Sequence, residues 1–374
     1  MLQRRAWAEI NLDHIAYNLE QIRSILPAKT QIMAVVKGDA YGHGARRTAQ
    51  LLTELGVTRF AVSNLDEAIS LRQYGIRGEI LILGATHQEG FEQLAAYQIT
   101  QTVFSLEYAE QLNQYGLDHQ IRFPIHIKID TGMYRIGFAY EDMDAVKALF
   151  AYPGLHVQGV FTHFSVADQL NPKDEAYTRM QADRFDTCLY QLREYPIGMT
   201  HIQNSAGIVN YPDFHYDLVR PGMLLFGVPS GEMSQDLQLK PVMQLKATIA
   251  MVKYVPKGAE IGYGRDYVAQ RDMKIATIPI GYADGYPRSV SGKVAQVLIY
   301  GQYAEQIGKV CMDQLMVDVT DIDDVRLGDA VVLVGEDQGN TVMLSSLAEL
   351  AGTITNELVC SISARVPRVH VQQG

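Results

Sequence analysis

Through the first two thirds of the chain, short apolar or β-branched runs alternate with longer stretches whose apolar positions recur at helical spacing. This pattern predicts strands at residues 31–36, 60–62, 80–83, 102–104, 124–129, 157–162, 200–203 and 217–219. Between the strands lie amphipathic segments. Residues 13–26 put Ile15, Leu19, Ile22 and Leu26 on one helical face, with Asp13 placed to cap the first turn. A second helix is predicted over 66–74, stopped by Gly75, and the longest over 174–192. Eight strand-and-crossover units within about 240 residues predict an α/β fold, a (β/α)8 TIM-type barrel, with a doubly wound open sheet as the alternative.

After residue 240 the texture changes. Runs rich in strand formers at 244–255, 273–281, 295–300, 306–319 and 330–334 are separated by Gly, Asp and Pro, and only 345–351 reads as helical. Turns this short leave no room for parallel crossovers, so residues 241–374 are expected to form a mostly antiparallel β domain after a barrel spanning 1–240.

Composition bounds the chemistry without choosing it. The 374 residues, 47% hydrophobic and 20% charged, suffice for two domains with buried cores. A formal charge of −10 argues against a nucleic-acid partner, although a local basic pocket for a small phosphate remains compatible with it. Three cysteines, Cys188, Cys311 and Cys360, form no CxxC pair and suit a reducing cytoplasm better than a disulfide framework or a zinc site. No apolar run approaches the 18 or so residues of a membrane span, and Arg4, Arg5 and Glu9 interrupt any signal-peptide pattern, so no membrane contact is expected.

In a (β/α)8 barrel, chemistry sits at the carboxyl ends of the strands. The first predicted strand runs through four apolar residues into Lys37, followed by Gly38, Gly42 and Gly44. Desolvation lowers a lysine's pKa and exposes a nucleophilic amine suited to Schiff-base chemistry, and nearby glycines let backbone press against a ligand. The seventh strand is followed by Asn204-Ser205-Ala206-Gly207 and the eighth by Arg220-Pro221-Gly222. Those are the two barrel loops that most often hold a phosphate. An amine for an aldehyde and a phosphate site together specify pyridoxal 5′-phosphate.

The sequence resembles the alanine racemases over essentially its whole length. The motifs that carry the resemblance are residues 34–44 (AVVKGDAYGHG), 128–133 (KIDTGM) with Arg135, 162–164 (THF), 204–206 (NSA), 219–222 (VRPG), 262–264 (GYG), 281–286 (GYADGY), 311–313 (CMD) and 365–368 (RVPR), all in the family's order. The resemblance implies that Lys37 holds the cofactor and serves as one base, with Tyr263 as the opposing base. It implies phosphate contacts from Tyr41, Ser205 and Gly222, and a pocket lined by Leu83, His163 and Asn204. Arg220 is implied to face the ring nitrogen, where a guanidinium cannot accept a proton and so keeps the ring a weaker electron sink. A phenol with a reference pKa near 10 needs positive charge nearby to act as a base, a role that falls to His163 and Arg220. Arg135 is implied to steady substrate, with Lys128 as a lysine open to carbamylation behind it. Tyr282, Met312 and Asp313 border substrate. Tyr263, Tyr282 and Met312 reach the site from a partner copy, which implies a homodimer; the product, D-alanine, feeds peptidoglycan.

At three positions the chain departs from the family pattern. Ala364 stands where the family commonly has tyrosine, which removes a ring and a hydroxyl and predicts a roomier pocket that also admits serine or longer amino acids. Gly38 and Tyr134 are smaller departures with no assignable effect from sequence. The related decarboxylases of basic amino acids would need a Gly-Gly-Gly phosphate loop and a Cys-Asp-Ser motif, neither of which is present. A non-catalytic single-barrel carrier of the cofactor would lack the second domain and so Tyr263.

Overall fold

The computed structural model describes residues 4–229 and 231–372. Contacts divide the chain into two units. One contains Ala16–Ala40 and Ala45–Lys240; the other contains the described residues up to Ile15, Tyr41–Gly44 and the chain from Pro241 on.

The first unit is a closed barrel of eight parallel strands, each paired with its neighbours around the ring. In chain order they are Gln31–Val35, Arg59–Val62, Glu79–Ile82, Thr100–Val103, Phe123–Asp130, Leu155–Phe161, Met199–His201 and Leu218–Val219. Leu218–Val219 pairs with Gln31–Val35, and Thr100–Val103 with Phe123–Asp130, so no edge remains open. All eight strands fall within one or two residues of their predicted positions. The open-sheet alternative fails on that closure. The longest helix, Pro172–Gln191, begins with Pro in its first turn and is capped by Asn171, whose side chain accepts from Asp174 N.

The second unit is built on a ten-stranded, almost wholly antiparallel sheet. Toward one edge it joins Ala330–Asp337, Met243–Thr248 and the chain's first strand, Ala6–Asn11. This corrects the expected barrel limit of residue 1. Ala6, Ala8 and Ile10 are buried while Trp7 and Glu9 are not, the period of a sheet with one covered face. That strand pairs antiparallel with Met243–Thr248 and parallel with Arg368–Val371. The cap of the first helix also differs from expectation: Asn11 Oδ1 accepts from Asp13 N at 3.0 Å and His14 N at 3.2 Å, and Asp13 lies inside the first turn. A second helix, Thr355–Ser361, escapes the sequence reading because only Leu358 and Val359 in its seven residues are buried. No helix among the described residues is long and apolar enough to cross a membrane.

Candidate active site

The first barrel strand delivers Lys37 into an unusual turn. Gly38, Asp39, Ala40, Tyr41 and Gly42 all have positive φ, between 51° and 77°, which makes a left-handed turn directly after the lysine. Each non-glycine residue there costs on the order of 1–2 kcal/mol. Gly38 meets this need without steric strain, which gives one departure from the family pattern a physical reason. The turn is held from outside itself. Gly38 N donates to Glu67 Oε1 at 2.7 Å, and Ala45 N donates to Asp39 Oδ1 at 2.7 Å. Glu67 Oε2 meanwhile accepts from Ser63 N and Oγ, both at 2.8 Å. Sequence reasoning missed Glu67; its signal is the Asn64-x-x-Glu67 pattern of a capped helix start. Within the second unit, Arg368 Nε donates to Gly42 O at 2.8 Å, and a side chain at Gly42 would strike Val359 O at 2.3 Å.

The two expected phosphate turns meet. Ser205 Oγ accepts from Gly222 N at 3.0 Å and Leu224 N at 3.4 Å, while Asn204 Oδ1 caps Gly207 N at 2.9 Å. Leu83 follows the third strand, half-buried, its N–H donating to Val62 O.

Arg220 is buried with 3% of its surface exposed. Its guanidinium meets carbonyls and imidazoles: Nη2 donates to Thr162 O at 2.8 Å and Ile202 O at 2.9 Å, with His163 Nδ1 at 3.2 Å, and Nη1 meets His201 Nδ1 at 2.6 Å. Phe161 receives both Arg220 and Lys128 over its ring, at 5.2 and 5.5 Å. Burial, then the Arg220 charge, pushes the Lys128 amine down to about 7, and its Nζ donates to Ile129 O at 2.9 Å. His163 is pushed well below the usual imidazole value by burial and by Arg220, Lys128, Arg135 and Lys37. Arg135 itself is exposed. Gln181 of the long helix, unnoticed in sequence, donates to His163 O at 3.2 Å and accepts from Ser165 N at 2.9 Å, so it fixes the loop that carries His163.

In the second unit the candidate residues stand outward on rigid turns. Tyr263 is 70% exposed, between Gly262 and Gly264 with φ of 78° and 77°. Lys309 pairs with Asp266 at 2.6 Å beneath it. Tyr282 N and Ala283 N donate to Cys311 O and Met312 O at 3.1 and 3.0 Å, which ties these two candidate segments together. Gly281 permits this approach, since a Cβ there would lie 2.2 Å from Cys311 O. Tyr282 and Met312 are exposed, Asp313 pairs with Arg365 at 2.6 Å, and Ala364 is exposed. Behind them Asp284, fully buried, pairs with Arg5 and accepts from Gly281 N at 3.0 Å.

Family models for the alanine racemase N-terminal and C-terminal domains match residues 10–230 and 242–370. The chain belongs to the alanine racemase family. It is 43% identical to an alanine racemase of Clostridium tetani over 99% of this chain and 96% of that protein, and 45% identical to one of Clostridium perfringens over 98% and 95%. Among solved structures, the alanine racemase of Clostridium difficile 630 superposes with a TM-score of 0.94 at 40% identity, covering 100% of this chain and 97% of that one. That of Bacillus anthracis, solved with bound L-Ala-P, has a TM-score of 0.91 at 34% identity, covering 100% and 97%. As a member of this family the chain is an isomerase, and it shares the architecture of these racemases from end to end.

Proposed function

We propose that the chain interconverts L- and D-alanine with pyridoxal 5′-phosphate, as a cytoplasmic homodimer that supplies D-alanine for peptidoglycan. The observation that carries the cofactor reading is the donor set at the barrel's carboxyl end. It offers a half-buried amine, Lys37, for an aldehyde; the meeting turns of Ser205 and Gly222 for a phosphate; and a buried guanidinium, Arg220, to donate to an unprotonated ring nitrogen. When bound, the cofactor supplies the electron sink that acidifies the substrate's α-carbon.

The chain's own residues do the rest. Lys37 Nζ anchors the cofactor and, once released by substrate, takes or returns a proton at the α-carbon; the Tyr263 phenol oxygen does so on the opposite face. Asn204, Leu83 and Tyr41 bound the cofactor, while Arg135, with Tyr282, Met312 and Asp313, orients the substrate. Exposure of Tyr263, Tyr282 and Met312 on one unit favours active sites shared between two copies, each contributing these side chains to the other. Lys128, neutral for part of the time near pH 7, can add CO2 through its amine nitrogen with loss of one proton, which places a carbamate beside Arg135. Intact mass under non-acidic conditions tests this.

Alanine is favoured over the serine or broader specificity that Ala364 suggests, because the relatives that match along their full length carry the alanine name. The test is deuterium incorporation at the α-carbon of L-alanine in heavy water, with Lys37→Ala and Tyr263→Phe as controls. Inversion with label from solvent is expected. Exchange without inversion, or no exchange, would refute the two-base reading.

A further inference from the structure

The barrel interior holds a polar line that the reaction as described does not use. Arg220 Nη1 meets His201 Nδ1 at 2.6 Å, and His201 Nε2 meets His126 Nδ1 at 2.8 Å. His126 Nε2 lies 3.0 Å from Glu79 Oε1 and Glu79 Oε2 lies 2.9 Å from Arg59 Nε, both within ion-pair distance and neither aligned as a hydrogen bond. Arg220 follows the eighth strand, His201 ends the seventh, His126 sits within the fifth and Glu79 opens the third. The line therefore runs from the carboxyl end of the barrel to its amino end.

The fold makes room for it. A Cβ at Gly159, on the neighbouring strand, would lie 2.5 Å from the His126 ring. Phe161 stacks on His201 with centroids 4.7 Å apart and planes 4° apart. His126 and His201 are 1% and 0% exposed.

Proton bookkeeping fixes the direction of the line. A guanidinium has no acceptor, so His201 Nδ1 must accept from Arg220. A neutral imidazole that accepts at one nitrogen donates at the other, so His201 Nε2 donates to His126 Nδ1. His126 in turn carries its proton on Nε2, facing the Glu79 carboxylate. An imidazolium at His201 would set two protons against each other between it and Arg220, and an imidazolium at His126 would do so between the two rings. Burial and the Arg220 charge, which push His201 well below the usual imidazole value, act the same way.

We infer that Glu79 is a positioning residue for Arg220: acting through His126 and His201, it sets both tautomers and so presents a lone pair that fixes the guanidinium. The line ends in the Glu79–Arg59 ion pair, whereas the carbonyls and imidazoles that receive the Arg220 N–H groups are uncharged. The tautomer order rests on barrel geometry alone; its consequence for catalysis rests on the racemase reading.

Long-range ¹H–¹⁵N spectra of the protein labelled at histidine nitrogens, near pH 7, test the order without any turnover. His126→Asn and His201→Asn assign the two rings. Both should be neutral and protonated at Nε2. Glu79→Gln, whose amide oxygen still accepts, should keep that pattern. Glu79→Leu should make His126 a tautomer mixture, and Gly159→Ala, which changes no member of the line, should do the same by displacing the ring. With L-alanine, Glu79→Leu should lower kcat by roughly 10- to 100-fold, the scale of a small misplacement, with KM little changed and Glu79→Gln close to the parent. A charged or Nδ1-protonated ring in the unaltered protein would overturn the order. Unchanged tautomers in Glu79→Leu and Gly159→Ala would overturn the role of Glu79. Should either variant fail to fold, the unaltered and Glu79→Gln spectra still decide the order. Correct tautomers in a protein that does not racemise alanine would leave the line standing and remove the proposed function.

Discussion

The two units present their chemistry in opposite ways. In the barrel the candidate groups other than the exposed Arg135 are buried or half-buried, and the surroundings act on their protonation: Lys128 is pushed down to about 7, His163 and His201 well below their usual value, and Arg220 sits against carbonyls and imidazoles. In the β unit, Tyr263, Tyr282 and Met312 are exposed and it is their backbones that are fixed, at Tyr263 by flanking glycines at positive φ and at Tyr282 and Met312 by hydrogen bonds between turns. A buried group can be tuned by its own fold. An exposed one has its aim fixed by the fold, while its tuning must come from whatever it meets. On the proposed function, the barrel would hold the cofactor chemistry ready, and the β unit would supply a base whose reactivity depends on assembly.

The sharpest way to break this contrast is to remove the two bases. Lys37→Ala should lose cofactor attachment, seen as loss of the visible absorbance of the loaded protein, and activity by at least roughly 10³-fold. Tyr263→Phe should keep that absorbance and the melting temperature, yet lose roughly 10²- to 10⁴-fold in racemisation. If Tyr263→Phe destabilised the fold as much as a core substitution does, the description of Tyr263 as an outward, assembly-dependent group would fail.

Lys128 gives the next largest effect, and its sign is set by burial. Its amine is held at about 7 in the folded chain against an ordinary 10.5, so between those values the unfolded chain binds more protons. Stability from this group must rise as pH increases from about 7 to 10.5, and the folded chain bears the full cost of the buried charge below 7. In CO2-free buffer, the melting temperature of the parent should gain on that of Lys128→Met across this window. Added bicarbonate should shrink the gap at pH 7 if the carbamate forms. In the β unit, Gly264→Ala introduces a side chain at φ 77° and should cost about 1–2 kcal/mol in chemical denaturation while lowering kcat, since it re-aims Tyr263.

Most of the barrel was legible because its strands are short, apolar and separated by crossovers, so periodicity marks each one. What escaped was long-range or conformational. Ala6–Asn11 alternates only three small or apolar residues, and nothing local says that its partner strands lie more than 230 positions away. Glu67, Gln181 and Glu79 look like ordinary surface polar residues in sequence; burial and partners reveal them only once helices and strands are closed into a ring. Lys37 was legible from its strand end, but the left-handed turn behind it was not, because Asp39, Ala40 and Tyr41 are not residues that announce positive φ.

That turn also frames the smallest and most discriminating test. Tyr134 has φ 55° and is 82% exposed, one residue before Arg135, and its N–H donates to Asp130 Oδ1 at 3.1 Å. Unlike the half-buried Tyr41, for which a cofactor contact is proposed, it is exposed and its ring is assigned no role. Tyr134→Gly relieves left-handed strain worth about 1–2 kcal/mol but makes the unfolded chain more flexible, so a net gain of about 0.5–1 kcal/mol is expected in denaturant titrations. Activity separates two possibilities for the loop that carries Arg135. An unchanged KM for alanine means that Asp130 alone holds the loop and the strain is idle. A raised KM with unchanged kcat means that the strained tyrosine helps to hold Arg135 toward the substrate carboxylate, so that part of the barrel's readiness is stored in backbone rather than in buried charge.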